Sequence, residues 1–299
     1  MKIVITGSLG RISRPLAIEL VRKGHQVTVI SSQAVRQKEI EALGARAAIG
    51  TIEDVAFLTQ AFTGADVVYC MEPPFQDGFF DPNFDLNAHI ERLGHIFVQA
   101  IKGSGVKRVV HLSSIGAHMA EGNGILAMHY SIEKILNTLP ADVSITFMRP
   151  VGFYYNIYAF IPTIKAQGAI ISNYGGDDKE PWVAPADIAA AIAEEMETPH
   201  AGRKIRYVAS DELSPNELAA LLGGAIGQPG LKWISIPDEQ MIQGMVGMGM
   251  SPKIAKGFVE MNASRRGGVL YEDYNTHKPA LGKIKLTDFA KEFAAAYNK

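Results

Sequence analysis

The stretch Ile3-Val4-Ile5-Thr6-Gly7-Ser8-Leu9-Gly10-Arg11-Ile12-Ser13, near the start of the chain, decides how the rest is read. Residues 3–6 are all β-branched, the composition of a buried strand. Two glycines follow, and an amphipathic helix is predicted over residues 12–23, closed by Gly24. Gly7 permits a tight turn, and Gly10 lets the backbone approach an anion with no Cβ in the way. The helix start adds unpaired N–H groups and the positive end of a dipole. A third small residue is needed where helix packs on strand, and Ser13 holds that place. The alternative is a structural turn in some other α/β protein. Position favours a dinucleotide pyrophosphate, because the turn is the first strand–helix junction of an alternating series.

That series continues with a strand at 26–30, a helix at 35–43 stopped by Gly44, and a strand at 45–49. A helix at 55–62 leads through Gly64 into a buried strand at 66–71. A loop rich in Pro, Phe and Asp spans 72–82, a long helix 84–102, and a strand 106–112. Such alternation predicts a mostly parallel sheet with helices on both faces, and right-handed crossovers make it doubly wound. After a strand at 144–148 the pattern loosens into aromatic residues at 153–160 and a glycine- and acid-rich stretch at 175–180. A helix from Pro185, a strand at 204–209 and a helix at 214–226 follow. The fold class expected is α/β: a Rossmann-type doubly wound parallel sheet with a smaller C-terminal cap. Residues 1–150 form the dinucleotide-binding domain, and 151–299 the smaller cap region, interleaved with additions to the main sheet.

Bulk properties exclude several classes. With 47% hydrophobic and 20% charged residues in 299, the chain is in the globular range. A net charge of −2 draws it neither to nucleic acid nor to anionic membrane, and no basic recognition helix is visible. No apolar run reaches the length of a membrane span, and a strand beginning beside Met1 leaves no room for a leader, so a soluble, cytoplasmic protein is expected. The single cysteine, Cys70, excludes an internal disulfide and reads as an inert buried residue. His89, His95 and His118 have no metal-ligand spacing, so no metal is expected.

The second strand ends Ile30-Ser31-Ser32-Gln33, without the carboxylate that would bind a ribose 2′-hydroxyl and repel a 2′-phosphate. Arg36 and Arg11 are close enough in sequence to supply charge to a phosphate. NADP(H) is therefore favoured over NAD(H), although Arg36 also suits the solvated face of a short helix.

These residues bring a family into view: the chain resembles the NmrA-like group of atypical short-chain dehydrogenase/reductases, including bacterial NAD(P)H:quinone oxidoreductases. The resemblance spans nearly the whole chain. It is carried by Gly7-Ser8-Leu9-Gly10, Gly50-Thr51-Ile52-Glu53-Asp54 and Val106-Lys107-Arg108-Val109-Val110-His111-Leu112-Ser113-Ser114. Phe147-Met148-Arg149-Pro150 with Phe153 and Asn156, and then Pro185-Ala186-Asp187-Ile188-Ala189, complete it. It implies nucleotide contacts from Gly7, Ser8, Gly10, Arg11, Ile12, Ser31, Ser32 and Arg36. Met71, Glu72, Pro73, Ser113, Pro150 and Phe153 would lie along the nicotinamide half, as the rule that ligands bind beyond the carboxyl ends of parallel strands also requires.

Tyr130-Ser131-Ile132-Glu133-Lys134 is similar to the Tyr-x-x-x-Lys signature of short-chain dehydrogenases, in which the lysine lowers the phenol's pKa and the phenol serves as general acid. Register argues otherwise. In the family a lysine usually precedes a helical glutamate by four residues, and Glu133 with Arg149 fits that glutamate and the Arg-Pro strand end. His129 then takes the lysine's place and Ile125 the tyrosine's, while Tyr130 and Lys134 fall about a turn late. The catalytic candidates are Tyr130, Lys134 and His129. His129 also suits an ordinary helix start, and Ser113 an ordinary turn or cap.

Phe75, Phe79, Phe80, Phe153, Tyr154, Tyr155, Tyr158 and Phe160 either line a pocket for a flat apolar substrate or pack main domain against cap. Residues 241–250, with four methionines and three glycines, read as a pliable lid or a plain surface helix. Asp187 reads as a helix cap or dipole contact, and Thr287 or Asp288 as the opening of a final helix. The expected function is an NAD(P)H-dependent oxidoreductase acting on a small apolar carbonyl or quinone. Hydride transfer to such an acceptor needs no protein acid. The alternative is a non-catalytic NADP(H) sensor acting through a protein partner.

Overall fold

The computed structural model describes residues 1–73 and 76–299, with Gln76 and Asp77 described in backbone only. The strands and helices of the first half are β1 (Lys2–Ile5), α1 (Ser13–Arg22), β2 (Gln26–Ser31), α2 (Gln37–Ala42), β3 (Arg46–Ile49), α3 (Val55–Phe62), β4 (Val67–Cys70), α4 (Leu86–Ser104), β5 (Arg108–Leu112), α5 (Ala127–Leu136) and β6 (Ser144–Pro150). Local chemistry sets their ends. Asp54 and Asp85 accept the first free N–H groups of α3 and α4, and Gly105, at φ +75°, closes α4 in the left-handed region.

The second half adds β7 (Gly152–Phe153), α6 (Ile161–Gln167), β8 (Ala169–Ser172), β9 (Glu180–Val183), α7 (Pro185–Glu197), β10 (Arg203–Val208), β11 (Asp211–Leu213), α8 (Pro215–Ala225), β12 (Lys232–Ser235), α9 (Asp238–Gly247), α10 (Pro252–Ala263), α11 (Glu272–Thr276) and α12 (Leu286–Tyr297). The main sheet has seven strands in the order β10-β6-β5-β4-β1-β2-β3, every pairing parallel. From β1 the chain winds outward through β2 and β3, then returns to β4 and winds the other way. The reversal between β1 and β4 opens a crevice at their carboxyl ends, where the glycine turn leaves β1.

One face of the sheet buries Ile3, Ile5, Val27 and Val29 against Leu16 and Leu20 of α1 and Ile188 and Ile192 of α7. The other buries Val4, Val68 and Val109 against Leu58, Ile90, Phe97 and Ile132 of α3, α4 and α5. Beyond β6, strand β10 and helix α7 join the main sheet and its face. The three-stranded sheet β11-β9-β7 and the two-stranded sheet β12-β8, with α6, α8 and α12, surround a separate core of Tyr154, Trp182, Leu222, Trp233, Phe289 and Phe293.

Several side chains differ from their sequence expectation. Asp187 stands in the first turn of α7, as the dipole alternative expects, but does not cap it: its carboxylate accepts the Ser210 hydroxyl at 2.6 Å and the Ile284 N–H at 3.1 Å, stapling two loops together. Tyr154, Tyr158 and Phe160 pack in the smaller core against Phe289, Phe293 and Trp233, the packing alternative. The helix expected over 35–43 opens as a 3-10 turn at Ala34–Arg36 before α2. Among the described residues no helix is long and apolar enough to cross a membrane.

Candidate functional site

The glycine turn is built around two constraints. Gly7 has φ +85°, and a Cβ there would stand 2.4 Å from Met71 Sδ and 2.5 Å from Ser13 Oγ. At Gly10 a Cβ would meet the Gly7 carbonyl at 3.0 Å. Ser13, fully buried, donates its hydroxyl to the Thr6 carbonyl at 2.9 Å, which fixes α1 on β1 as the third small residue was expected to do. Thr6 Oγ1 in turn accepts the Met71 N–H at 2.9 Å, locking the ends of β1 and β4 side by side.

Ser8 is the one non-glycine residue with positive φ among those described, at +52°. Its N–H reaches the Ile30 carbonyl at 3.1 Å and its hydroxyl donates to Ser31 Oγ at 2.9 Å. The turn is therefore held against the end of β2 on one side and β4 on the other. Its cradle of small residues ends on Ile12 and the start of α1, where the Arg14 N–H turns back to the Gly10 carbonyl at 2.9 Å and no side chain caps the helix.

The two serines at the end of β2 behave differently. Ser31 is 2% exposed and its oxygen accepts from Ser8 and from the Gln33 N–H, whereas Ser32 is exposed. Arg36 is ion-paired to Glu39 at 2.8 Å, and Arg14 reaches the other Glu39 oxygen at 3.3 Å. Arg11 is exposed and lies over the Tyr155 ring at 5.1 Å, with Phe153 a further 5.1 Å from Tyr155. This contact joins the glycine turn to the segment after β6 across the crevice.

Past β4, Glu72 accepts from the His111 imidazole at 2.8 Å, and both side chains are buried. Burial works to raise the Glu72 carboxyl, but His111, helped by His129, leaves it below its usual value. His129 lies one turn before Glu133 on α5. Burial holds its imidazole down to about 4, against the pull of the Glu72 and Glu133 carboxylates, and its Nδ1 is buried without a hydrogen-bond partner among the described residues. Pro73 is half-buried beside this group.

A second buried network braces the neighbouring strand ends. Arg149, 4% exposed, grips Glu133 through Nε at 2.9 Å and Nη2 at 2.6 Å, and its Nη1 reaches Asp273 at 3.0 Å. Ser113 donates to Glu133 at 2.5 Å, and Tyr207 to Asp273 at 2.5 Å. Burial disfavours the Arg149 charge, but Glu133 outweighs it and the guanidinium is held firmly protonated. Ser113 thus spends its hydroxyl on bracing, as Pro150 spends its carbonyl on the Ile115 N–H at 2.9 Å.

The family register read from Glu133 and Arg149 is a physical pairing. It places His129 on the same helical face as Glu133, while Tyr130 is half-buried and Lys134 exposed on the adjoining face. Of the aromatic residues after β4, Phe79 packs edge-on to Phe258 at 5.3 Å and Phe80 is 57% exposed; Phe75 lies outside the described residues. No residue of the methionine-bearing helix α9 is buried. The Glu72–His111 pair and Asp273 were not read from sequence. A histidine inside the apolar run Val109-Val110-His111-Leu112 was the available signal for the first; Asp273 comes from a distant element, with nothing in the sequence to pair it with Arg149.

Comparison with known proteins agrees with this geometry. An NAD(P)H azoreductase of Xenophilus azovorans is 26% identical over 298 residues, covering 99% of each chain. An NADPH-dependent quinone oxidoreductase of Escherichia coli, crystallised with NADPH, superposes with a TM-score of 0.79 at 21% identity over 97% of this chain and 99% of its own. A triphenylmethane reductase of Citrobacter sp. gives a TM-score of 0.75 at 18% identity over 99% and 100%. The NmrA-like family profile matches residues 1–277, and with the glycine cradle and the Glu133–Arg149 pair in place the chain belongs to that family.

Proposed function

We propose that the protein is an NADPH-dependent reductase of small, conjugated, largely apolar acceptors such as quinones. The observation that carries this reading is the cradle at the β1/β4 crevice: a turn in which a Cβ at Gly7 would collide with Met71 and Ser13 and one at Gly10 would crowd the Gly7 carbonyl, leading into a helix N-terminus. The fit to a dinucleotide is one of shape and charge. The backbone at Arg11 and Ile12 would hold the pyrophosphate, which Gly7 and Gly10 let approach, while Ser8 and Ser31 fix the turn through their own bonds. Ser32 and Arg36, at a strand end without a carboxylate, would meet a 2′-phosphate once Arg36 exchanges Glu39 for it.

Met71, Glu72, Pro73, Ser113, Pro150 and Phe153 would border the nicotinamide half. When bound, the nucleotide supplies the hydride. The chain's part is to position the reactants face to face and exclude water. His129, kept neutral by burial, is a hydrogen-bond donor or acceptor toward nucleotide or substrate rather than an imidazolium acid. Tyr130 and Lys134 take no catalytic role in this account, because the exposed lysine and half-buried tyrosine sit off the His129–Glu133 face. The azoreductase, quinone oxidoreductase and dye reductase among the relatives support a conjugated acceptor.

The test is the loss of NADPH absorbance with a panel of quinones, azo dyes and simple carbonyls. Turnover with the conjugated acceptors, faster with NADPH than with NADH at equal limiting concentration, supports the proposal. Tight nucleotide binding without turnover of any acceptor refutes it and points to a sensor.

A further inference from the structure

Glu72 occupies an unusual position. It directly follows Met71, whose sulfur stands 3.7 Å from Ser13 Oγ beside the glycine cradle, and so it lies at the edge of the β1/β4 crevice. Its partner His111 is fully buried on β5, in register with Cys70 and edge-on to Phe147 at 6.0 Å. Around them the sheet face is apolar: Val68, Cys70, Val109 and Phe147. A buried carboxylate hydrogen-bonded to an imidazole in such surroundings gives up hydration that two apolar side chains of the same volume would not need. Stability alone does not account for it.

The other charges nearby leave the carboxylate unneutralised from the cleft side. Arg149 is consumed by Glu133 and Asp273, and His129 is held neutral. Glu72 itself stays ionised despite burial, which rules it out as a proton donor at neutral pH. What remains is a carboxylate at the carboxyl ends of β4 and β5, held by the His111 imidazole at 2.8 Å.

Resting on the nucleotide reading above, we propose that Glu72, anchored by His111, is an electrostatic catalytic residue that stabilises the positive charge a nicotinamide ring acquires on giving up hydride. The balance is simple. The reduced ring is uncharged; a hydrogen nucleus leaves with two electrons for the acceptor, and the ring is left with one positive charge. A carboxylate already in place favours that product and the transition state leading to it, with no reorganisation at the moment of transfer. Binding alone therefore reads the same effect, since the site should prefer the oxidised nucleotide to the extent that Glu72 contributes.

The experiment measures dissociation constants of NADP⁺ and NADPH separately, by calorimetry, for the full-length protein and for Glu72→Gln. The isosteric amide keeps shape and hydrogen bonding and removes the charge. The expected result is NADP⁺ weakened about tenfold with NADPH nearly unchanged, equivalent to about 30 mV in the two-electron potential of the bound couple. His111→Leu gives a second route, because an unpaired buried carboxyl takes up a proton. It should move the ratio the same way, and it serves if the glutamine variant fails to fold. If both nucleotides weaken equally, or the ratio does not move in a variant that folds, the role is structural and the inference is overturned. If the unaltered protein binds neither nucleotide, the nucleotide reading falls first and takes this inference with it.

Discussion

Removing the Arg149 charge tests the bracing of the candidate site directly. Arg149 is 4% exposed and Glu133 6%, so the pair is screened little by solvent. Their bonds are bidentate, at 2.9 and 2.6 Å. In Arg149→Met the Glu133 carboxylate keeps only Ser113 as a donor among the contacts described, and it must either remain charged in the interior or take up a proton. Breaking a buried pair from one side costs about 3–5 kcal/mol. Glu133→Gln is cushioned, because Arg149 retains Asp273 at 3.0 Å, and should cost about half as much. The double replacement Glu133→Leu/Arg149→Met removes both charges and should recover most of the loss. In a chain of 299 residues each kcal/mol moves the midpoint by somewhat under ~2 °C, so Arg149→Met should melt about 5–8 °C lower. Urea unfolding followed by circular dichroism gives the three values. A loss below about 1 kcal/mol for Arg149→Met, or a double variant no better than the worse single one, would refute the reasoning.

Three further outcomes follow from the same geometry. Gly7→Ala places a methyl 2.4 Å from Met71 Sδ at φ +85°; it should cost about 2 kcal/mol and weaken NADPH at least ~tenfold, as calorimetry and urea unfolding will show. The His129 imidazole titrates at about 4 in the folded chain against an ordinary 6.5 once unfolded, so between those values the unfolded chain binds the extra proton and stability falls as pH drops through that window. Its share of that fall is on the order of 2–3 kcal/mol and should vanish in His129→Gln when unfolding is measured at both ends of the window. Arg36→Ala should weaken NADPH about tenfold and leave NADH unchanged, and equal weakening of the two would contradict a 2′-phosphate contact.

The order of strands and helices was legible because apolar runs and terminating glycines punctuate the first half, as Gly24, Gly44 and Gly64 do, each with positive φ. Ser13 was legible as the small residue under α1 because it follows the glycines at helical spacing. The pairing of Glu133 with Arg149 was visible as a register, though not as an ion pair shared with Asp273, which comes from α11 at the far end of the chain. Contacts between residues so distant in sequence leave no local pattern. For the same reason the aromatic cluster after β6 was ambiguous. Tyr154 and Tyr158 pack against Phe289 of α12, whereas Tyr155 lies under Arg11 with Phe153 packed on it, and composition alone does not separate them. Asp187 looked like a helix cap because it stands in the first turn of α7, but the loops it staples, at Ser210 and Ile284, were out of reach of a sequence pattern.

The most direct test of the account is a calorimetric titration of the purified chain with NADPH and, separately, with NADH. The account predicts one site per chain, occupied by both and more tightly by NADPH. Absence of heat with either nucleotide, from protein that is folded by circular dichroism, would contradict it.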